Sequence, residues 1–142
     1  MSSYIIYADG SCLGNPGPGA AAVVICDHNH CVIREFATKY AHTTNNRMEL
    51  SAAIAALKAI DEGEITMMMD SQYVIRGITS WIINWKKKGW VTASKSPVEN
   101  RDLWEELDAL TRGRKIAWQY IKGHAGTAHD RVDALAQATA RS

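Results

Sequence analysis

Tyr4-Ile5-Ile6-Tyr7-Ala8-Asp9-Gly10 is a run of five apolar or aromatic residues stopped by an acid and a glycine. A run of this kind, with no polar alternation, reads as a strand buried on both faces, the pattern of a central strand in an α/β sheet; Asp9-Gly10 supplies the turn chemistry that ends it. Asp9 is therefore expected at the strand's C-terminal end. Ile65 to Met69 repeats the theme, a short apolar strand followed by an aspartate, Asp70. Ligands of open α/β sheets gather at the carboxyl ends of strands, where loops leave room for them. The two aspartates are thus expected to meet.

Working outward, Gly14-Asn15-Pro16-Gly17-Pro18-Gly19 is too rich in glycine and proline for helix or inner strand, and reads as a loop into a second strand, Ala20 to Cys26. A turn over Asp27 to His30 leads to a third strand, Val32 to Thr38. From Asn45 the period changes: Leu50, Ala53, Ile54, Leu57 and Ile60 recur at three- and four-residue steps, which predicts an amphipathic helix of about four turns. After Asp70, Ser71 can cap a helix through Gln72 to Ile78. Residues 81 to 101 concentrate Trp81, Trp85, Lys86, Lys87, Lys88, Trp90, Lys95 and Arg101 around one acid, Glu99. A helix from about Asn100 to Leu110, a strand Ile116 to Ile121, a loop Gly123-His124-Ala125-Gly126 and a closing helix Asp130 to Thr139 complete the pass.

The 142 residues suit one compact domain, and the net charge of +1, from 16 Lys plus Arg against 15 Asp plus Glu, points to no partner by itself. No segment approaches the roughly 18 apolar residues of a membrane span, and the N-terminus has neither a basic leader nor a long apolar stretch. Three cysteines, Cys12, Cys26 and Cys31, do not make a secreted disulfide framework. A cytoplasmic protein with reduced thiols is expected. Cys26-Asp27-His28-Asn29-His30-Cys31 holds soft ligands, but its spacing is too tight for a usual zinc finger and it falls at a hairpin turn.

Two further acids join Asp9 and Asp70 as candidates. Glu49 sits just before Leu50, in the first turn of the long helix, and Asp133 lies on the last helix beside Val132. Carboxylates converging on a half-buried spot repel one another and take up protons unless cations join them. Hard oxygen ligands of this type suit Mg²⁺ or Mn²⁺. Two such ions can activate a water and stabilise the leaving oxygen of a phosphodiester. The plainer reading of each acid taken singly is a cap or turn residue, with Glu49 favoured by the helix dipole.

Six ordered segments give the chain a close resemblance, over essentially its whole length, to bacterial type 1 ribonuclease H. They are Asp9-Gly10-Ser11-Cys12-Leu13-Gly14-Asn15-Pro16-Gly17-Pro18-Gly19, Thr43-Thr44-Asn45-Asn46-Arg47-Met48-Glu49-Leu50, Asp70-Ser71-Gln72-Tyr73-Val74, Gly77-Ile78-Thr79, Trp85-Lys86-Lys87-Lys88-Gly89-Trp90 and Lys122-Gly123-His124-Ala125-Gly126. The resemblance implies a ribonuclease H-like α/β fold, a five-stranded mixed sheet flanked by helices, in which strands one to three are antiparallel and strands one, four and five parallel. It implies a two-metal site of Asp9, Glu49, Asp70 and Asp133, with Asp133 preferred to Asp130 because it directly precedes Ala134-Leu135-Ala136. It also places His124 beside the metals, for proton transfer or product release. His129 stands where the family commonly has Asn, and Gly19-Ala20-Ala21-Ala22 departs from the usual start of the second strand.

The activity so implied is hydrolysis of the RNA strand of an RNA–DNA hybrid, leaving 3′-hydroxyl and 5′-phosphate ends, by a monomer working with Mg²⁺. An enzyme cutting only RNA must contact 2′-hydroxyls. The resemblance assigns Asn15, Asn45 and Gln72 to the RNA strand, Thr44 and Asn100 to a DNA-strand phosphate, and the basic protrusion of Trp85, Lys86, Lys87 and Lys88 to the DNA strand. For the amides and Thr44, capping and turn formation is the plainer alternative. Lysines bind phosphates without reading bases, so cutting should be nearly independent of sequence and sensitive to salt. A non-catalytic hybrid-binding module would lack one of the acids. A transposase or integrase core would lack the amide set and the Gly-His-Ala-Gly loop.

Overall fold

The computed structural model describes residues 2–122 and 128–142. Five strands, β1 (Ser3–Cys12), β2 (Gly17–Asp27), β3 (Val32–Thr43), β4 (Glu64–Met69) and β5 (Ile116–Tyr120), form one sheet in the order β3-β2-β1-β4-β5. The first three are antiparallel, and β1, β4 and β5 run parallel, as expected. Helix α1 (Asn45–Ala59) crosses from β3 to β4. Between β4 and β5 lie α2 (Gln72–Arg76), a π-helical turn (Gly77–Trp81), α3 (Ile82–Lys87) and α4 (Arg101–Thr111); α5 (Ala128–Arg141) closes the chain.

Side chains alternate across the sheet, and this sorts the core into two layers. Ile6 and Ala8 of β1, Ala21, Val23 and Ile25 of β2, and Ile65, Met67 and Met69 of β4 face the layer that also holds Leu50, Ile54 and Leu57 of α1 and Trp104 and Leu107 of α4. Tyr7, Ala22, Val24 and Cys26 face the other layer, where Val132 and Ala136 of α5 cover them. Burying each valine, leucine, isoleucine or methionine among them contributes about 1.5–3 kcal/mol. Asp9 shares the parity of Tyr7, and Asp70 that of Met68, so both aspartates lean toward α5. Gly10 shares that of Ala8 and faces α1.

Several boundaries differ from the sequence reading. Asp9 is not at the end of its strand: β1 leaves β4 after Tyr7↔Met68 but stays paired with β2 as far as Cys12↔Gly19. Asp9 therefore marks the end of the parallel ladder only. Gly17-Pro18-Gly19 belongs to β2, accommodated by a bulge against β3 between Gly17 and Gly19, one of the few places a proline is tolerated in a sheet. The third strand runs on to Thr43. Glu49 is the fifth residue of α1, a turn further in than expected, so the helix dipole does not account for it. The helix after Ser71 does not stop near Ile78. It passes through the π-helical turn into α3, so Trp85, Lys86 and Lys87 are helical. That turn begins at Gly77, whose missing side chain leaves room for the Trp104 ring.

Candidate metal centre

Three carboxylates converge where β1 parts from β4. One oxygen each from Asp9, Glu49 and Asp70 lie within 4.8 Å of one another. Asp9 and Glu49 are buried, at 3% and 5% exposure, so water can do little to separate their charges. Glu49 is fixed by a close approach of backbone to backbone. The Gly10 N–H donates to its Oε1, and a Cβ at Gly10 would stand 2.5 Å from Glu49 N and from the Met48 carbonyl carbon. Only glycine allows α1 this near to β1. Asp70 follows β4 directly, and Ser71 behind it caps α2, its hydroxyl accepting from Val74 N at 3.2 Å.

Burial, then the charges of Glu49 and Asp70, push the Asp9 carboxyl far above the ordinary carboxylate range, and a hydrogen bond with Asp133 adds to the rise. Glu49 is pushed up as well, by burial first and by the charge of Asp70, with the Gly10 N–H opposing. Asp133 on α5 thus faces Asp9, as the parity of β1 requires, while its own Oδ2 accepts from Gln137 Nε2 at 3.0 Å. Asp9 Oδ2 is buried without a hydrogen-bond donor. A buried acceptor of this kind, among hard carboxylate oxygens crowded together out of water, is the donor set a divalent cation fits. Among the described residues no other group of three or more metal-ligating side chains occurs. Cys26 lies in the core against α5 and Cys31 is exposed, and among the described residues the Cys26 to Cys31 segment brings no three ligand atoms together.

The amides fall beside this site. Asn15 Oδ1 accepts from Asn45 N at 2.8 Å, and the Thr44 hydroxyl caps α1 by accepting from Arg47 N at 3.3 Å. Asn15, Thr44, Asn45 and Asn100 also line one cleft of about 320 Å³ with Asn46 and Glu99. Asn100 adopts a left-handed backbone, φ 61°. Its amide is held at both ends: Oδ1 accepts from Arg47 at 3.2 Å and Nδ2 donates to the Tyr73 hydroxyl at 3.1 Å. Arg47 is itself anchored on Asp102 at 2.8 Å. Gln72 is exposed on the first turn of α2.

The aromatic and basic stretch divides into a packed base and a solvated rim. Trp104 is fully buried; Trp85 packs against it at 5.4 Å between centroids and against Trp81 and Trp90 at 6.0 and 6.2 Å. Trp85 is thus both half-buried structure and surface. Lys87 and Lys88 are exposed, but Lys86 reaches back to Asp108 of α4, Nζ to Oδ2 3.1 Å. His124 lies outside the described residues. Sequence reading missed Arg47 and Tyr73, which hold Asn100, and the setting of His129, buried beside Asp70. Arg47 lies inside the quoted Thr43 to Leu50 segment, but nothing in a linear sequence points it at a residue 53 positions away.

An α/β domain with carboxylates clustered where its central parallel strands part has the donor set of the proteins that hold divalent cations at the carboxyl ends of strands. Residues 1–141 match the RNase H family. The ribonuclease H of Shewanella amazonensis is 53% identical over 139 residues, covering 96% of this chain and 88% of the relative. That of Escherichia coli is 53% identical over 137 residues, 95% of this chain and 87% of the relative. Among solved structures, LC9-RNase H1, described as a type 1 RNase H with the type 2 active-site motif, superposes with a TM-score of 0.86 at 32% identity, over 99% of this chain and 73% of that one. LC11-RNase H1 in complex with RNA/DNA hybrid superposes at 0.75 with 25% identity, over 97% and 96%. This chain belongs to the RNase H family.

Proposed function

We propose that the chain is an endonuclease that hydrolyses the RNA strand of RNA–DNA hybrids, with little sequence preference, leaving 3′-hydroxyl and 5′-phosphate ends. The observation that carries this reading is the meeting of Asp9, Glu49 and Asp70 within 4.8 Å in a chain of this family. Asp133 joins them as the fourth ligand, and residues 1–142 act as one catalytic domain. Mg²⁺ would be the working metal and Mn²⁺ a substitute; held by these acids, such ions would lower the pKa of a water and offset charge on a phosphate. The protein's own part is positional. Gly10 N–H orients Glu49, the burial of Asp9 strengthens each charge interaction by excluding water, and His124 moves a proton or helps product leave.

Asn15, Asn45 and Gln72 contact 2′-hydroxyls of the RNA strand, the feature that separates RNA from DNA. The cleft of Thr44 and Asn100 takes a phosphate of the DNA strand. Trp85 meets a DNA sugar, and Lys86, Lys87 and Lys88 its phosphates, which fixes register without reading bases. The protein works as a monomer in the cytoplasm: one chain supplies all four acids, its three cysteines are free thiols, and no helix among the described residues is long and apolar enough to cross a membrane. The test is digestion of end-labelled RNA–DNA hybrid, double-stranded RNA and DNA duplex, with Mg²⁺ or with chelator. Cutting confined to the hybrid's RNA strand and abolished by chelator is expected. Binding of hybrid with no cutting under any divalent metal would replace the enzyme by a hybrid-binding module.

A further inference from the structure

His129 is 1% exposed on the first turn of α5, and its Nε2 lies 3.5 Å from Asp70 Oδ2. The separation is that of a polar contact rather than a tight hydrogen bond. The three clustered acids are secured unequally. Asp9 is closed in by the core and Glu49 is gripped by the Gly10 N–H. The Asp70 side chain is 32% exposed, and on its buried side the His129 imidazole of α5 reaches it. A carboxylate at a strand end, with water on one side, is free to rotate unless something on the other side stops it.

We infer that His129 is a positioning residue, whose buried imidazole edge keeps the Asp70 carboxylate turned toward Asp9 and Glu49. This rests on the metal-centre reading above. The parity of β4 sends Asp70 toward α5, and α5 carries both His129 and, one turn on, Asp133. The helix therefore presents one acid to the cluster and steadies another. Partners of this kind behind metal ligands set ligand orientation, and their loss typically lowers metal affinity by about 10–100-fold. An imidazole filling space for packing alone would leave metal affinity untouched when an apolar side chain of similar size replaced it.

The experiment measures Mn²⁺ binding to the whole protein, without nucleic acid, from the electron paramagnetic resonance signal of free Mn²⁺. Wild type, His129→Leu, His129→Asn and Asp70→Asn are compared, with thermal unfolding run alongside. His129→Leu should weaken Mn²⁺ binding about tenfold or more, and His129→Asn, which keeps a donor, should recover most of it. In an Asp70→Asn background, His129→Leu should change nothing further. If the leucine variant does not fold, His129→Met against His129→Gln makes the same comparison of donor lost with donor kept. Wild-type affinity in a folded leucine or methionine variant, with binding lost in Asp70→Asn, overturns the inference and leaves the metal centre standing. No Mn²⁺ binding by the wild type removes both.

Discussion

Where β1 and β4 part, three carboxylates are pressed together, two of them out of water, whereas between α3 and α4 the lysines stand in solvent above packed tryptophans. The first region gathers like charges at the expense of stability; the second spreads them where they cost almost nothing. Glu49 is brought into the cluster by backbone, with Gly10 against Met48 and Glu49, and no rearrangement of side chains can widen that approach. The aromatic base is held by side chains, Trp85 and Trp104 against Tyr73, Trp81 and Trp90, and its surface lysines can be changed without touching that base. On the proposed reading, the destabilised, preorganised charge is where chemistry is done and the adaptable charge where a polyanion is gripped.

The comparison breaks most sharply at Asp70. Asp70→Asn should lower hybrid cleavage on the order of a thousandfold, about 4 kcal/mol of transition-state stabilisation, with the fold intact by circular dichroism; near-normal turnover would remove Asp70 from the site. Next in size, Gly10→Ala drives a methyl into backbone atoms of α1 and should cost about 2–4 kcal/mol of unfolding free energy. Denaturant titration at the wild-type level would mean that α1 shifts freely, and that Glu49 is not held by this contact.

Asp9→Asn should act in the opposite direction on stability. Its carboxyl is raised in the folded state, so its favourable contribution is complete below the ordinary value of 3.8 and is lost as pH rises toward the folded value above neutrality. The metal-free protein at pH 7 to 8 therefore carries a penalty that the amide removes. A gain on the order of 1–3 kcal/mol in the metal-free variant, shrinking as pH falls toward 4, is expected in pH-dependent unfolding. A loss of stability at neutral pH would mean that Asp9 is stabilised by donors rather than strained by neighbours.

The smallest effects belong to the lysines. Lys87→Ala and Lys88→Ala should each reduce the salt slope of hybrid binding by about 1 without changing stability. Lys86→Ala should also cost up to about 1 kcal/mol, because it removes one of the two cations, the other being Arg112, that pair with Asp108. Identical behaviour of all three lysines would erase the distinction between anchored and solvated charge.

The sheet was legible because β1 and β4 are short apolar runs with clear stops, and the helix period of α1 is strong. The extents of β2 and β3 were not, since glycine and proline argue against strand and only the bulge opposite β3 admits them. The four acids were readable as candidates, and the family resemblance chose among them. What brings them together was not readable: the parity that turns Asp9 and Asp70 toward α5, and the glycine that lets Glu49 in, are properties of packed layers. His129 stood out in sequence as a departure at one position, and only the packing of α5 shows that it meets Asp70.

The most direct measurement is calorimetric titration of Mg²⁺ or Mn²⁺ into the metal-free protein at pH 7, in two buffers of different ionisation enthalpy. Asp9 and Glu49 are both held above neutrality by burial and by neighbouring acids, so metal must displace protons to bind. The account predicts binding with net proton release that falls sharply in Asp9→Asn. Binding with no proton release, or release unchanged in that variant, would contradict it.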